Sequence, residues 1–306
     1  MLNLKILRGV VAAMVLVGSA MTASAQAPLL TMKELKPNVW TATGDGGNST
    51  IFIGDTGVVV VDAKRTEAGG QALLAEIAKI TPKPVTTVIL THSDGDHVNG
   101  LVAFPADITI IAHGNNKREQ DAALEAGNSG VPADRLPNQL VRYYATGQGM
   151  PMEDTTPLSI DGLDFNVRNW GRAHTSGDLA VSLPSAGVVA TGDLIAANRA
   201  DDNPNIHAHK RGWTLGWMRA ARGLADIGAE IYVPGHGDLA TSADIDRKMA
   251  ATLARRTRIV EMMDQGSTLD EIKAALPDAQ APGAAPAGGS DGSPTFVDIV
   301  FEENTF

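Results

Sequence analysis

Residues 85–100 read VTTVILTHSDGDHVNG, in which an apolar run passes directly into a cluster of histidines and aspartates. The β-branched run is typical of a buried strand. In an extended segment, residues two apart point to the same side, so His92 and Asp94 can face one metal ion. The glycine that follows permits a sharp turn, after which Asp96 and His97 can face a second ion. The cluster therefore predicts a metal site at the end of a strand.

Three more polar residues follow apolar runs further along the chain. They are His174 in the segment AHTSGD, Asp193 in TGDL and His236 in PGHG. Each is a weak signal by itself, because a lone histidine after a strand usually packs or caps, and an aspartate after glycine usually forms a turn. Asp62 ends an earlier run of four valines in the same way. Their order, together with the cluster, favours a metal site over the alternative of a solvated polar loop.

The remaining sequence alternates between strand and helix patterns. Apolar runs separated by turn residues predict hairpins around Asp161-Gly162 and around residues 184–187. Residues 127–155 are rich in Gly, Pro and Asn, and they predict a long loop. Helical periodicity predicts amphipathic helices over residues 66–80 and 213–227, and we also expect a polar helix over 115–126 and a long helix over 243–265.

The composition excludes several classes of function. The 306 residues contain no cysteine, which rules out disulfides, thiolate metal sites and a catalytic thiol. Any metal must then be bound by His, Asp or Glu. The formal net charge of −10 and the aromatic content of 4% argue against nucleic acid as a partner. We therefore expect a small-molecule substrate, and the oligomeric state is left open.

The two ends of the chain differ in character from its middle. A positively charged start, a short apolar run and the small residues before Gln26 predict a signal peptide that is cleaved after Ala25. An uncleaved anchor is the alternative. After cleavage the protein would be periplasmic or secreted, with no stable membrane anchor. The predicted organisation is a signal peptide (1–25), a main domain (26–278), a flexible Ala/Pro/Gly linker (279–294) and a C-terminal tail (295–306) that could form an edge strand.

The order of these motifs resembles the metallo-β-lactamase superfamily. The stretches that carry the resemblance are Ala173–Asp178, Thr191–Leu194 and Pro234–Gly237, together with Asp62 and the cluster. The resemblance covers roughly residues 38–265. It implies an α/β fold, the αββα sandwich of this family, with a dinuclear metal site at one edge of its two sheets.

The resemblance also implies a set of metal ligands. Each ion would be bound by residues of two motifs, and one carboxylate from a further motif would bridge the ions. Carried over by position, the first ion takes His92, Asp94 and His174, the second takes Asp96, His97 and His236, and Asp193 bridges them.

One position departs from the usual pattern of the family, and a second distinguishes between its branches. Histidine is usual where Asp94 stands, although flavodiiron relatives, which bind iron, carry a carboxylate there. Two divalent ions per chain are expected, zinc first, with iron or manganese as the alternatives because a carboxylate is a harder ligand than imidazole. The β-lactamases of the superfamily tend to have Cys or Ser where Asp193 stands. Asp193 therefore favours the lactonase-like and glyoxalase II-like hydrolases.

Other polar residues are expected to support the site. Asp62 and Asp178 are predicted to hold the ligands from behind. His113 is assigned either such a role or the capping of a helix. His207 and His209 follow the Asp193 strand in a polar loop, where they either line the substrate cleft or lie on the surface.

The expected activity is that of a metal-dependent hydrolase. In this family a hydroxide held between the two metal ions attacks a carbonyl carbon, and Asp96 could relay a proton as well as bind metal. The substrate would be a lactone, ester, thioester or amide. It is expected to be neutral, because three aspartates and a hydroxide would balance the charge of two divalent ions. The alternatives are β-lactam hydrolysis, a diiron centre for O₂ or NO, and a non-catalytic exported metal-binding module.

Overall fold

The computed structural model describes residues 28–141, 154–197, 203–277 and 294–305. The predicted signal peptide lies outside the described residues, and so does the predicted linker apart from Pro294. Within the described ranges, no helix is both long enough and apolar enough to cross a membrane.

Two sheets make up the centre of the fold. The first has seven strands that neighbour one another in chain order, and the second has five strands in the order β12-β11-β10-β9-β8. The first sheet contains β1 (Thr31–Lys36), β2 (Val39–Thr43), β3 (Ser49–Ile53), β4 (Val58–Val61), β5 (Val85–Ile89), β6 (Thr109–His113) and β7 (Gln139–Val141). The second contains β8 (Asp154–Ile160), β9 (Leu163–Asn169), β10 (Ala180–Leu183), β11 (Val188–Ala196) and β12 (Ile231–His236).

Seven α-helices are present in the described residues. Four of them match the helices expected from the sequence to within about two residues. The seven helices are α1 (Glu67–Ile80), the one-turn α2 (Gly95–Val98), α3 (Gly114–Glu125), α4 (Thr214–Ile227), α5 (Ser242–Asp264), α6 (Leu269–Ala275) and α7 (Phe296–Glu303). The four that match are α1, α3, α4 and α5.

The sheets pack face to face between two layers of helices. Along β4, Val59 and Val61 point towards the second sheet, while Val58 and Val60 pack with residues of α1 on the other face. This alternation follows from the two-residue period of a strand, and both faces are buried, so all four positions are valine. Helices α4 and α5 cover the outer face of the second sheet. The αββα sandwich expected from the resemblance is confirmed.

The topology brings the carboxyl ends of several strands to one edge. Strands β4, β5 and β6 run parallel, and so do β11 and β12 of the second sheet. Parallel strands present their carboxyl ends together, and ligand sites of α/β proteins form there. Asp62 and His92 follow two of those ends, His236 is the last residue of β12, and Asp193 lies within β11.

The structure corrects the expectation of a single loop over residues 127–155. Residues Gln139–Val141 form β7, which pairs parallel with β6 at the edge of the first sheet. The Asn138 side chain fastens the entry to this strand by hydrogen bonds to the backbone of Ile108 and Ile110. Sequence pattern missed the strand because three residues at a sheet edge carry no periodic signal, and residues 142–153 lie outside the described part of the chain.

The expectation of an edge strand in the tail 295–306 is wrong. Residues Phe296–Glu303 form helix α7, which begins with a capping box between Thr295 and Asp298. Its apolar residues are buried against Ile259 of α5 and Ile272 of α6. The segment is helical because its capping box and the helical spacing of its apolar residues outweigh the strand preference of its β-branched residues.

Candidate metal centre

Asp62 is the structural hub beneath the predicted ligands. It ends β4 with a φ of 65°, and its buried carboxylate points at the end of β5. The carboxylate accepts hydrogen bonds from the Thr91 backbone N–H (2.8 Å), the Thr91 hydroxyl (2.7 Å) and Nδ1 of His97 (2.7 Å). The structure thus places Asp62 in direct contact with His97, one of the predicted ligands. Because Nδ1 of His97 donates to Asp62, its Nε2 keeps a lone pair for a metal.

Two other histidines are oriented in the same manner. Nδ1 of His92 lies 2.9 Å from the Thr91 hydroxyl oxygen, whose own proton goes to Asp62. Nδ1 of His174 lies 2.8 Å from the backbone carbonyl oxygen of Asn205. In both rings Nδ1 is therefore the donor, and Nε2 is the nitrogen that faces the centre and can bind a metal.

The first group of facing donor atoms surrounds Asp94. Its Oδ2 atom lies 3.2 Å from Nε2 of His174 and 3.5 Å from Nε2 of His92. These two histidines, Asp94 and Asp193 offer donor atoms that all lie within 4.8 Å of one another. Ligand atoms about 2.0–2.2 Å from a shared tetrahedral ion are separated by roughly 3.4 Å. The spacing in this group suits an ion at its centre.

The second group lies one helical turn further along the chain. Asp94 caps the one-turn helix α2, which carries Asp96 and His97 around to the other side of the cluster. Oδ2 of Asp96 lies 3.2 Å from Nε2 of His236, and Nε2 of His236 lies 3.3 Å from Nε2 of His97. The sharp turn expected after Asp94 is this helix start.

Asp193 stands between the two groups. Its Oδ1 atom lies 3.3 Å from Nε2 of His97 and 3.5 Å from Nε2 of His236, while its Oδ2 atom lies 3.9 Å from Nε2 of His174. One oxygen therefore faces each group, which is the placement that a bridging carboxylate needs.

The residues fit a metal centre on a second ground. Nε2 of His92 and Oδ1 of Asp193 are buried, and neither atom has a hydrogen-bond partner among the described residues. A buried polar atom without a partner costs about 1–3 kcal/mol, so such atoms call for an explanation. A cation bound between them would satisfy both.

The other predicted supporting residues lie close by. Asp178 accepts from the Thr175 backbone N–H (2.8 Å) and hydroxyl (2.7 Å), which fixes the turn after His174. His113 is the N-cap of α3, where its Nδ1 accepts from the Asn115 backbone N–H at 3.2 Å. Of the two roles considered for His113, capping is the one that this contact supports, and burial lowers its pKa to about 4.

Lys210 is the site residue that sequence reasoning missed. Its Nζ atom lies 2.6 Å from Oδ1 of Asp94 and donates to the Ser93 hydroxyl at 2.9 Å. The Ser93 hydroxyl donates to Glu119, which also accepts from the Ser176 hydroxyl at 2.7 Å. Lys210 lies in a polar loop far from the cluster in sequence, so neither spacing nor periodicity could have pointed to it.

The two loop histidines differ in placement. Nδ1 of His207 lies 3.0 Å from Oδ2 of Asp94, so this residue belongs to the site. His209 is exposed, with its ring centroid 5.2 Å from that of His207. Of the two placements considered for these residues, His207 therefore lies at the site and His209 lies on the surface.

Charges in the cluster are strongly coupled. Burial lowers the pKa of His174, but the neighbouring Asp94 and Asp193 carboxylates outweigh burial and raise it to about 9. Burial also lowers the pKa of His97, but the Asp62 and Asp193 carboxylates outweigh burial and raise that pKa well above its usual value. Without metal, these imidazoles are therefore protonated at neutral pH.

We accordingly expect zinc binding to the metal-free protein at pH 7 to release about two protons per chain. The apparent zinc affinity should rise with pH up to about 9, the pKa of His174, because below that pH the metal must displace its proton. Titration calorimetry in two buffers of different ionisation enthalpy measures the protons released. A binding heat that is independent of the buffer would contradict the assignment, and His174→Ala should release one proton fewer.

A known family matches this arrangement. The profile of the metallo-beta-lactamase superfamily matches residues 42–236, more than half of the chain. The chain belongs to this superfamily, as the motif order predicted.

Particular relatives differ in their named activities. The alpha subunit of 2,4-dinitroanisole O-demethylase from Nocardioides sp. (strain JS1661) is 28% identical over 212 residues, 68% of this chain and 58% of the subunit. The metallo-beta-lactamase type 2 of Bacillus cereus is 22% identical over 219 residues, 69% of this chain and 77% of the lactamase. This chain thus spans less than two thirds of the demethylase subunit.

A solved structure shares the fold over a longer stretch. The sec-alkylsulfatase Pisa1 from Pseudomonas sp. superposes with a TM-score of 0.71 at 16% identity, covering 90% of this chain and 50% of the sulfatase. At such identity the likeness shows the fold and does not identify a substrate.

Proposed function

We propose that this chain is an exported hydrolase that binds two divalent ions and cleaves an ester-like bond of a small molecule. The observation that carries the proposal is the pair of donor groups that share Asp193, with buried donor atoms lacking other partners. His92, Asp94 and His174 would hold one ion, and Asp96, His97 and His236 the other. Zinc is the first expectation, with iron or manganese as alternatives because Asp94 is a hard ligand.

The bound ions would supply an activated water near neutral pH and would polarise the bond to be broken. The protein contributes orientation and proton handling. Asp62, through Thr91 and His97, fixes the rings that face the centre. Burial raises the pKa of Asp96, but His236 and His97 outweigh it and hold the pKa well below the usual range. Asp96 is therefore ionised, as a metal ligand must be, and it holds no proton to donate at neutral pH.

The charge of the site changes the substrate expected from sequence alone. The balance that favoured a neutral substrate counted three aspartates and no cation. Lys210 adds a positive charge at Asp94, so the same count of ions, aspartates and hydroxide becomes positive once this lysine is included. We therefore retain lactones, esters, thioesters and amides as candidates, without the preference for neutral ones. Sulfate esters become a second candidate, because a lysine ammonium beside the centre favours an anionic group.

The proposal predicts a metal content of about two ions per chain and turnover that depends on them. The test is elemental analysis of the purified protein, followed by assays with lactone, ester, thioester, amide, sulfate-ester and β-lactam substrates before and after chelation. Turnover that chelation abolishes and added zinc or manganese restores would support hydrolysis, and the best substrate would name its class.

Other results would favour the alternatives. Iron in the purified protein together with O₂ or NO turnover would favour a diiron centre. Two bound ions without turnover of any substrate class would favour a binding module. A protein that takes up no metal would end the proposal.

A further inference from the structure

One short segment, residues 205–210, builds a large part of the first donor group. Asn205 accepts the Nδ1 proton of His174, and Lys210 binds Oδ1 of Asp94. Between them, His207 projects its ring towards the same centre. Three residues of one loop thus touch two predicted ligands, so the segment belongs to the centre and does more than cover it.

The backbone of the segment is tied to one of those ligands. The backbone N–H of His207 donates to the carbonyl oxygen of His174 at 2.8 Å. The backbone N–H of Trp213 donates to the carbonyl oxygen of Ala173, also at 2.8 Å. The backbone N–H groups of Lys210 and Gly212 both donate to the carbonyl oxygen of His207 at 2.9 Å. These backbone hydrogen bonds hold the main chain of His207 in place, and the main chain in turn positions its ring.

Three imidazole nitrogens surround one carboxylate oxygen. Oδ2 of Asp94 lies 3.0 Å from Nδ1 of His207, 3.2 Å from Nε2 of His174 and 3.5 Å from Nε2 of His92. The His207 and His174 rings are neighbours, with centroids 4.4 Å apart. The approach of His207 to Asp94 matches that of the two histidines already assigned as ligands.

Apart from its 3.0 Å contact with Oδ2 of Asp94, the Nδ1 atom of His207 has no polar partner that the described residues show. It is buried, and its contact with Asp94 does not meet hydrogen-bond geometry, so it has no hydrogen-bond partner there. Nε2 of His92, in the same group, is buried in the same unpartnered state. Buried polar atoms of this kind are usually satisfied, and a shared cation would satisfy both nitrogens.

We propose that His207 is an additional metal ligand that binds the first ion through Nδ1. The proposal rests on the dinuclear centre proposed above. It explains how the chain accommodates Asp94, because the imidazole absent at position 94 is supplied by a different part of the chain. The first ion would then have three imidazoles and Asp94, with Asp193 as the bridge.

The extra ligand changes the preference of the first site. Three imidazoles, one terminal carboxylate and the bridging carboxylate exceed the four ligands of a typical zinc site. Higher coordination numbers with mixed nitrogen and oxygen ligands suit iron, manganese and cobalt. The first site should therefore prefer these ions to zinc more strongly than the second site does.

Cobalt titration of the metal-free protein tests the assignment, since the visible absorption of cobalt reports its coordination. The variants are His207→Ala and His207→Asn, because asparagine places an amide near the Nδ1 position, where it can donate to Asp94 but supplies no imidazole. His209→Asn is the matched control, since His209 lies in the same segment but is exposed. We expect both His207 variants to lose at least about 100-fold in cobalt affinity at the first site, more than the loss of a supporting partner costs. Their cobalt spectrum should also change, whereas the control should match wild type.

Contrary outcomes separate the inference from the function on which it rests. If His207→Asn keeps the wild-type affinity and spectrum, His207 only hydrogen-bonds to Asp94 or is idle, and the inference is wrong while the proposed centre stands. If wild type takes up no cobalt, the proposed centre itself fails, and the inference fails with it.

A measurement on wild type decides the question if the variants do not fold. In the protein loaded with cobalt at both sites and labelled with ¹⁵N-histidine, each coordinated ring keeps one N–H whose resonance is shifted by the metal. Five shifted N–H signals are expected, from His92, His97, His174, His207 and His236. Four signals would overturn the inference.

Discussion

Replacing Asp193 by alanine should strip both ions from the centre at once. Its two oxygens face different donor groups, at 3.3 Å from Nε2 of His97 and 3.9 Å from Nε2 of His174, so one change removes a ligand from each. We expect the metal content after dialysis to fall from about two ions to less than one. Turnover of the best substrate should fall more than about 100-fold, beyond the cost of losing a supporting partner. Elemental analysis and steady-state kinetics measure the two effects.

The matched control is Asp246→Ala, which removes an exposed carboxylate of α5 far along the chain from every predicted ligand. It should keep both ions and full turnover. Asp193→Asn keeps the shape of the side chain and should retain more metal than the alanine variant. An Asp193→Ala protein with two tightly bound ions would show that the carboxylate does not bridge them.

Replacing Gly47 by alanine should disable the second ion site without touching a ligand. A methyl group at this position would meet Cε1 of His97, and would lie 2.5 Å from its Nε2. Neither partner can move away easily. The His97 ring is fully buried and bound to Asp62, while Lys64 donates to the Gly47 carbonyl at 2.8 Å and Asp96 accepts from the Gly47 N–H at 3.0 Å.

The expected result for Gly47→Ala is loss of about one ion per chain and at least about 100-fold lower turnover, with the first ion retained. Metal analysis, kinetics and thermal denaturation together distinguish a displaced ligand from general unfolding. Gly127→Ala is the control, since no atom lies within 4 Å of its added methyl, and its φ of +73° costs only stability. Wild-type metal content and turnover in Gly47→Ala would mean that the His97 ring adjusts freely.

The buried strands and the polar residues near their ends could be predicted because their signals are local, whereas the sandwich was expected from the resemblance to the superfamily. The apolar runs Val58–Val61 and 85–90 indicate buried strands. The polar residues that follow these runs indicate which side chains the strands bring to the site. The motifs that resemble the superfamily then supplied the order of the ligands. The structure brings the seven predicted ligands together at one edge of the sheets. Their metal-binding roles stay predictions until metal is measured.

Other features could not be predicted because they arise from contacts between distant parts of the chain. Lys210 is 116 positions from Asp94, and nothing in the polar loop around it marks a partner. Gly47 reads as an ordinary turn residue until the His97 ring is seen against it. The tail misled for a different reason: Phe296–Phe301 has strand-like composition, and only its cap and its packing on α5 and α6 make it helical.

Each donor group draws its members from both halves of the sandwich. The cluster that follows β5 belongs to the first sheet, whereas His174, Asp193 and His236 belong to segments of the second. An ion held by such a group is a cross-link between the layers, one that folding must assemble and that a chelator can remove. Ligands that bind only the folded state stabilise it by about 4 kcal/mol at a concentration a thousandfold above Kd. The same ions that serve chemistry would therefore also hold the two halves together, and the durability of the protein would depend on the metal supply of its compartment.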